Sequence, residues 1–366
     1  MGGALVGEDG TGGETVRLRE GSSFKGVPRI VFALILSLLV WRQADGREVV
    51  DMAGRRVVVP DTVTKVYGAS PPAVYLLYSV DPTLIAGLNY PFTPKERAYL
   101  TPAMGSLPVI GGWFGQGRTP NQEILLRVKP DVMVAWMWRG TAMNEKIEQT
   151  ARQLHLPLVY VKLDDLSDYP AAFRFMGSLL NREERASDLS DYAERTLNAI
   201  ERLREAIPEE GRIPVYYAEG LDGLSTDCDQ STHTEVIHLA GGRNVYQCDS
   251  RDTYGMERIS LEQVMLYDPE VIVAQEKTFV EGIMGDPRWR SLRAVKTRRV
   301  HLIPKAPFNW FDRPPSFMRL LGVKWLANLL HPDLFPLDLP RETREFYTLF
   351  LGVHLDDKAL EDILYQ

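Results

Sequence analysis

Nothing in this sequence is long and apolar enough to cross a bilayer, a task that takes ~20 consecutive residues. The most apolar run, IVFALILSLLVW from Ile30 to Trp41, falls short of that. Positive charge is not in excess either. The net charge is −7, and a nucleic-acid binder is more often basic, so no nucleic-acid partner is expected. No GxSxG marks a hydrolase elbow, and no GxxxxGK(S/T) marks a phosphate loop. The Gly-rich stretch GGWFGQGRTPN (Gly111 to Asn121) does not lead from a strand into a helix with dinucleotide spacing. No nucleophile with its base, no paired carboxylates and no metal cluster can be assembled from local spacing. Cysteine is scarce: Cys228 and Cys248 are the only two, and neither belongs to a CxxC pair, which argues against zinc.

What is present is enough for a full core, with 45% hydrophobic and an ordinary 25% charged residues. The N-terminus reads as an address. Residues 1–28 are Gly-rich and polar, Lys25 and Arg29 precede the apolar run, and cleavage is expected after Ala44 in RQADG, although Arg42 and Gln43 are not the small residues such a site favours. Positive residues ahead of a short apolar run describe a signal peptide, here assigned to residues 1–44 with the leader. Export would place Cys228 and Cys248 in an oxidising compartment, where a disulfide between them is expected.

From Val49 onward the pattern alternates. Short β-branched runs (RRVVVP, KVYGA, DVMVAW, PLVYVKL) are separated by amphipathic segments such as NQEILLRV and NEKIEQTARQL. Strands alternating with helices imply βαβ units and mostly parallel sheets. Residues 168–207 break the rhythm with helical periodicity throughout, and the spacing predicts one long helix, bent near Asn181. Alternation then resumes through IPVYYAE, SLEQVMLY, EVIVAQ and VHLIP. NQEILLRVKPDVMVA (121–135) aligns without gaps on SLEQVMLYDPEVIVA (260–274), pairing Glu123 with Glu262 and Pro130 with Pro269. The fold class expected is therefore α/β: two Rossmann-like lobes with central, mostly parallel sheets over 48–167 and 212–330, joined by one long linker helix over 168–207. Residues 331–366 are expected to form an added C-terminal helical tail that packs on one lobe. Ligands of such clamshells bind where loops leave the carboxyl ends of the strands.

HTEVIH (His233 to His238) is not a zincin motif, because its histidines stand five apart, about 140° around a helix. THTE reads as a capping box with Thr232 as cap and Glu235 three residues on. His238 is expected to be packed or capped, and His233, at the helix mouth, is a candidate to face ligand. Aromatic and cationic residues gather at joints. Trp113 and Phe114 lie in the Gly-rich loop, Trp138 and Arg139 follow DVMVAW, Tyr217 ends PVYY, and Trp310, Phe311 and Arg313 follow VHLIP. A lone aromatic is ordinarily core. Flat rings and guanidinium forks together at strand ends suit a large, partly aromatic, partly anionic ligand. In NWFDRPPS (Asn309 to Ser316), Trp310 and Phe311 are expected to wall the cleft, and the residue before proline, Arg313, to be held extended.

These residues carry a likeness. NQEILLRVKPDVMVAW, ISLEQVMLYDPEVIVA and WFDRPPSFMRLLGVKWLANLL occur in the order seen in periplasmic substrate-binding proteins of ABC importers for iron-siderophore complexes, haem and cobalamin, and the chain over 48–330 resembles that family. The resemblance implies two lobes bridged by a single helix, a shallow cleft with little hinge motion, and no catalysis. The protein would bind a small-molecule metal chelate (a ferric siderophore, haem or a corrinoid), with no cofactor beyond that cargo, as a periplasmic monomer. Its partner would be an ABC importer's permease dimer with ATPase subunits, docked through Glu123 and Glu262. A small oxoanion or chelated nickel as ligand, and a secreted metal-dependent hydrolase, are the alternatives.

Overall fold

The computed structural model describes residues 46–113, 119–138, 141–248 and 255–365. The leader, the apolar run with Lys25 and Arg29, Ala44, Phe114 and Arg139 lie outside the described residues. Among the described residues no helix is long and apolar enough to cross a membrane.

The described residues begin with an antiparallel hairpin, β1 (Gly46–Val50) on β2 (Arg56–Pro60). The β-branched runs that follow build two parallel sheets. The first has β3 (Val66–Gly68), β4 (Val132–Trp136) and β5 (Leu158–Val161) side by side, with Val66 opposite Val132 and Met133 opposite Leu158. The second has β6 (Ile213–Ala218), β7 (Gly242–Asn244), β8 (Val271–Ala274) and β9 (Val300–Leu302) in the order β9-β8-β6-β7, with Val271 opposite Val215. Every residue of β4 and β8 is buried, which is why both read as continuous apolar runs rather than alternating ones. Helix α1 (Pro71–Val80) starts on prolines, whose missing N–H costs nothing in the first turn, and it is buried on all sides.

The internal repeat is structural. Helix α2 (Gln122–Val128) is capped by Asn121, whose Oδ1 accepts from Ile124 N at 3.1 Å; α7 (Leu261–Tyr267) is capped by Ser260, whose Oγ accepts from Gln263 N at 3.2 Å. Both end on a left-handed residue, Lys129 at φ 51° and Asp268 at φ 41°, before the shared proline. The C′ position of a helix favours that conformation.

The linker departs from expectation. It is not one bent helix but a hairpin of α4 (Tyr169–Leu180) and α5 (Glu183–Ala206). Asn181, at φ 54°, ends α4 in the left-handed conformation that asparagine tolerates, and the chain turns back on itself. The arms pack antiparallel: Ser190 Oγ donates to Pro170 O, Arg174 Nη1 donates to Ser190 Oγ, and Gly177 lies where a Cβ would come within 2.3 Å of Ala186 Cβ. The long arm, α5, is the part that corresponds to the expected linker.

Helix α1, one face of each sheet, the hairpin and α8 (Arg319–Leu330) share one apolar core, while α3 (Thr141–Gln153) packs Ile147 and Ala151 on the other face of the first sheet. The C-terminal segment, α9 (Leu339–Phe346) and α10 (Asp357–Leu364), belongs to the shared core rather than lying on one lobe. Phe346 and Phe350 stack on each other and on Phe317, with Tyr192 of α5 edge-on. Tyr78 of α1 donates to Leu351 O at 3.0 Å, and Tyr347 donates to Ala306 O. The tail thus ties together elements that come from both halves of the chain.

Cys228 and Cys248 form a disulfide with Cα atoms 5.7 Å apart, closing a loop of separation 20. Replacing both with serine is expected to lower stability by about 3 kcal/mol through the looser unfolded chain, measured by urea denaturation. A double variant as stable as the parent would remove that contribution.

Candidate ligand cleft between the two sheets

A cavity of about 320 Å³ lies between the first sheet's α1 and following loop, which bring Tyr75, Tyr90 and Glu96, and the loops that leave the second sheet. The strand ends decide its second wall. Glu219 follows β6, Gln275 and Glu276 follow β8, and Lys305, Phe308, Asn309 and Arg313 follow β9. Such a crevice beyond the carboxyl ends of parallel strands is where α/β proteins bind ligands.

The roof is aromatic. Tyr75 stacks on Phe308 with ring centroids 3.8 Å apart, and Phe92 leans on Phe308 at 5.9 Å. The hydroxyls of Tyr75 and Tyr90 are hydrogen-bonded to each other. Burial, helped by the contact with Tyr90, holds the Tyr75 phenol well above its usual range, and burial pushes Tyr90 up to about 12 against the hydrogen bond to Tyr75, so both present neutral O–H groups at neutral pH.

The floor is a relay of amides. Gln275 Nε2 donates to Tyr217 Oη, Asn309 Nδ2 donates to Gln275 Oε1 at 2.6 Å, and Asn309 Oδ1 accepts from Phe311 N at 2.8 Å and Asp312 N at 3.2 Å. This relay, with Trp310 N donating to Pro304 O, shapes the NWFDRPPS loop.

Beside it stands a charged cluster. Arg313 Nε is 2.6 Å from Glu219 Oε1 and 3.4 Å from Asp312 Oδ2, and its Nη2 is 2.5 Å from Asp227 Oδ2. His233 Nδ1 lies 2.6 Å from Asp312 Oδ1. All three carboxylates are buried to 1% exposure or less. Burial, then the hydrogen bond and charge of Asp227, push Glu219 up to about 9 against the pull of Arg313. For Asp312 burial is the largest single influence and acts upward, but His233 and Arg313 outweigh it and hold the carboxyl below its usual range. Burial alone would lower Arg313; the three acids hold it above its usual value. Lys305, lowered mainly by burial, sits 3.5 Å from Glu276.

Several residues named from sequence lie elsewhere. Trp310 and Phe311 do not wall the cleft: both are 0% exposed, Phe311 packs on Tyr217 at 5.2 Å, and Trp310 meets the start of α8. Strand-end placement identified the loop but not which side of it faces inward. Tyr217, also fully buried, stands behind the cleft wall and accepts from Gln275. Trp113 is in the first sheet's core, its N–H donating to Ala69 O. Trp138 packs edge-on against Trp136 at 4.8 Å, and Asn144 clasps its backbone. Arg139 lies outside the described residues. Arg313 is at the cleft, but at φ 41° it is not held extended; the pull of three buried acids, not the following proline, fixes its side chain. His233 is turned to Asp312, and no capping box forms: Ser231 caps that turn, while Glu235 accepts from Leu166 N and Arg319. Sequence reasoning missed Tyr75, Tyr90, Glu96, Lys305 and Phe308, which stand in no motif. Glu219 was findable as the residue after PVYYA, a strand end like the others.

A model of the family described as "Periplasmic binding protein" matches residues 113–307, more than half of the chain. The chain belongs to the periplasmic binding protein family. The molybdate-binding protein MolA of Haemophilus influenzae is 24% identical over 350 residues, spanning 88% of this chain and 95% of MolA. The vitamin B12-binding protein of Salmonella paratyphi A is 24% identical over 304 residues, spanning 82% of this chain and 96% of that protein. Among solved structures, an ABC transporter solute binding protein from Sulfurospirillum deleyianum superposes with a TM-score of 0.81 at 38% identity, covering 87% of this chain and 99% of its own. These relatives are binding proteins, and two parallel-sheeted lobes with the cleft between them are the architecture of this periplasmic binding protein. Its Glu123 and Glu262 stand exposed in the first turns of α2 and α7, at equivalent positions of the repeat.

Proposed function

We propose that the protein captures a metal chelate (a ferric siderophore, haem or a corrinoid) outside the cytoplasm and delivers it to an ABC importer, with no cofactor besides that cargo. The observation that carries this is the lining of the cleft. It is lined by the rings of Tyr75, Tyr90 and Phe308, while both of its cations among the described residues, Lys305 and Arg313, already have carboxylate partners. A wide organic ligand is served by such walls. A bare oxoanion would need free cations or backbone donors instead. That second reading, a small oxoanion, is favoured by the likeness to MolA. The visible spectrum of protein isolated from its own cells separates them: a Soret, corrin or siderophore charge-transfer band supports the chelate, and a colourless protein carrying stoichiometric molybdenum overturns it. Export through the run at 30–41 is part of the proposal.

Delivery is assigned to Glu123 and Glu262. Carboxylates in a first turn favour the helix by about 0.3 to 1 kcal/mol, which explains each alone but not their equivalence in both lobes. Exposed acids on pseudo-equivalent lobes suit arginines on the two subunits of a permease. The double variant Glu123→Ala/Glu262→Ala is expected to bind chelate normally and to lose uptake in vesicles reconstituted with the importer. Normal uptake would leave the two glutamates with the helix role alone.

A further inference from the structure

Glu219, Asp227 and Asp312 bring carboxylate oxygens within 4.8 Å of one another around Arg313, and one guanidinium cannot balance them. The hydrogen-bond pattern leaves a specific gap. Arg313 serves one oxygen of each of the first two acids, Glu219 Oε1 and Asp227 Oδ2. The other oxygens, Glu219 Oε2 and Asp227 Oδ1, are buried without a donor. Two buried carboxylates that each lack a donor repel if both are ionised, and one proton between them satisfies both. Gly255, at φ 75°, lies against this group: a Cβ there would come within 1.9 Å of Asp227 Oδ1 and 2.2 Å of Arg313 Nη2, so a side chain at this position would collide with it.

We propose that Glu219 is a positioning residue of the ligand cleft, protonated and sharing that proton with Asp227, and that the shared proton holds Arg313 in the cleft wall. With it, Glu219 and Asp227 together present one negative charge rather than two to Arg313, which also meets Asp312, itself paired with His233. Without it, a third anion joins them beside a cleft that already contains Glu96 and Glu276. The other charged or titratable groups around Glu219 are Tyr216 and Tyr217 on β6, Lys305 after β9, and Glu257, which senses Asp227 and Arg313. The raised Glu219 carboxyl agrees with this arrangement. The inference concerns the wall itself and does not depend on which ligand the cleft receives.

The sign of the pH effect follows. A carboxyl that binds its proton more tightly in the folded than in the unfolded chain contributes stability that is complete below its ordinary value of 4.5 and is lost as pH rises to about 9. Glutamine keeps the shape and a donor for Asp227 but cannot ionise. The test uses infrared spectra and melting curves of the purified protein and its Glu219→Gln and Glu219→Ala variants. At neutral pH the parent should show a protonated-carboxyl C=O band that the Gln variant lacks and that fades above pH 9. Between pH 6 and pH 9 the parent's Tm should fall relative to that of the Gln variant, whereas the Ala variant, with no donor, should melt below both at pH 6. Equal bands in parent and Gln variant, parallel Tm profiles, or a Gln variant as damaged as the Ala variant at pH 6 would each overturn the shared proton.

Discussion

Arg313→Ala is expected to destabilise the protein by about 3–5 kcal/mol, the range for removing one partner of a buried ion pair. The residue is itself 26% exposed, but its partners are not: Glu219, Asp227 and Asp312 stay at 1% exposure or less, and no other cation among the described residues takes the place of the guanidinium between Glu219 and Asp227. The orphaned carboxylates can respond only by taking up protons, so the loss should shrink as the pH is lowered and grow toward alkaline pH. Arg313→Lys keeps the charge but not the fork that reaches Glu219 and Asp227 at once, and should fall between the parent and the alanine variant. Urea denaturation at several pH values measures both. A loss below about 1 kcal/mol, the level of an exposed pair, would mean that the cluster is solvated and Arg313 is free to serve the ligand directly.

Trp310→Ala should cost about 3–5 kcal/mol of stability as well, for a different reason: it empties a packed site. The indole is fully buried, and its backbone carbonyl lies against Gly322 of α8, where a Cβ would come within 1.8 Å. A Trp310 in the cleft wall, as expected from sequence, would instead lose ligand affinity with the fold intact. The structure reverses the order of effects, with weaker folding first and weaker binding only through the disturbed Asn309–Gln275 relay. Denaturant curves together with binding measured well below the transition distinguish them. Full stability with lost affinity would return Trp310 to the cleft.

The repeated unit was legible because its signals are local: a polar cap, a helix, a proline turn and a buried strand recur at the same spacing in 121–135 and 260–274. The linker's break carried a local signal too, since Asn181 is a residue that tolerates the left-handed turn, but periodicity on both sides of it reads as one helix. The cluster around Arg313 was not legible, because Asp227 and Glu219 lie 86 and 94 residues away and only folding brings them to it. The aromatic roof was missed for the same reason. Tyr75 sits on a mostly apolar helix of the first half, which reads as core, and it meets Phe308 of the second half only in the assembled cleft. Placing Trp310 in the wall failed because a joint after a strand has two faces, and sequence does not say which one the relay of amides turns inward.

Calorimetric titration of the purified protein with ferric citrate, haem, cyanocobalamin and molybdate tests the central claim most directly. Saturable one-to-one binding of a metal chelate, with molybdate weaker by at least about tenfold, is the predicted result, a difference of ~1.4 kcal/mol. Tight binding of molybdate with none of the chelates would contradict it.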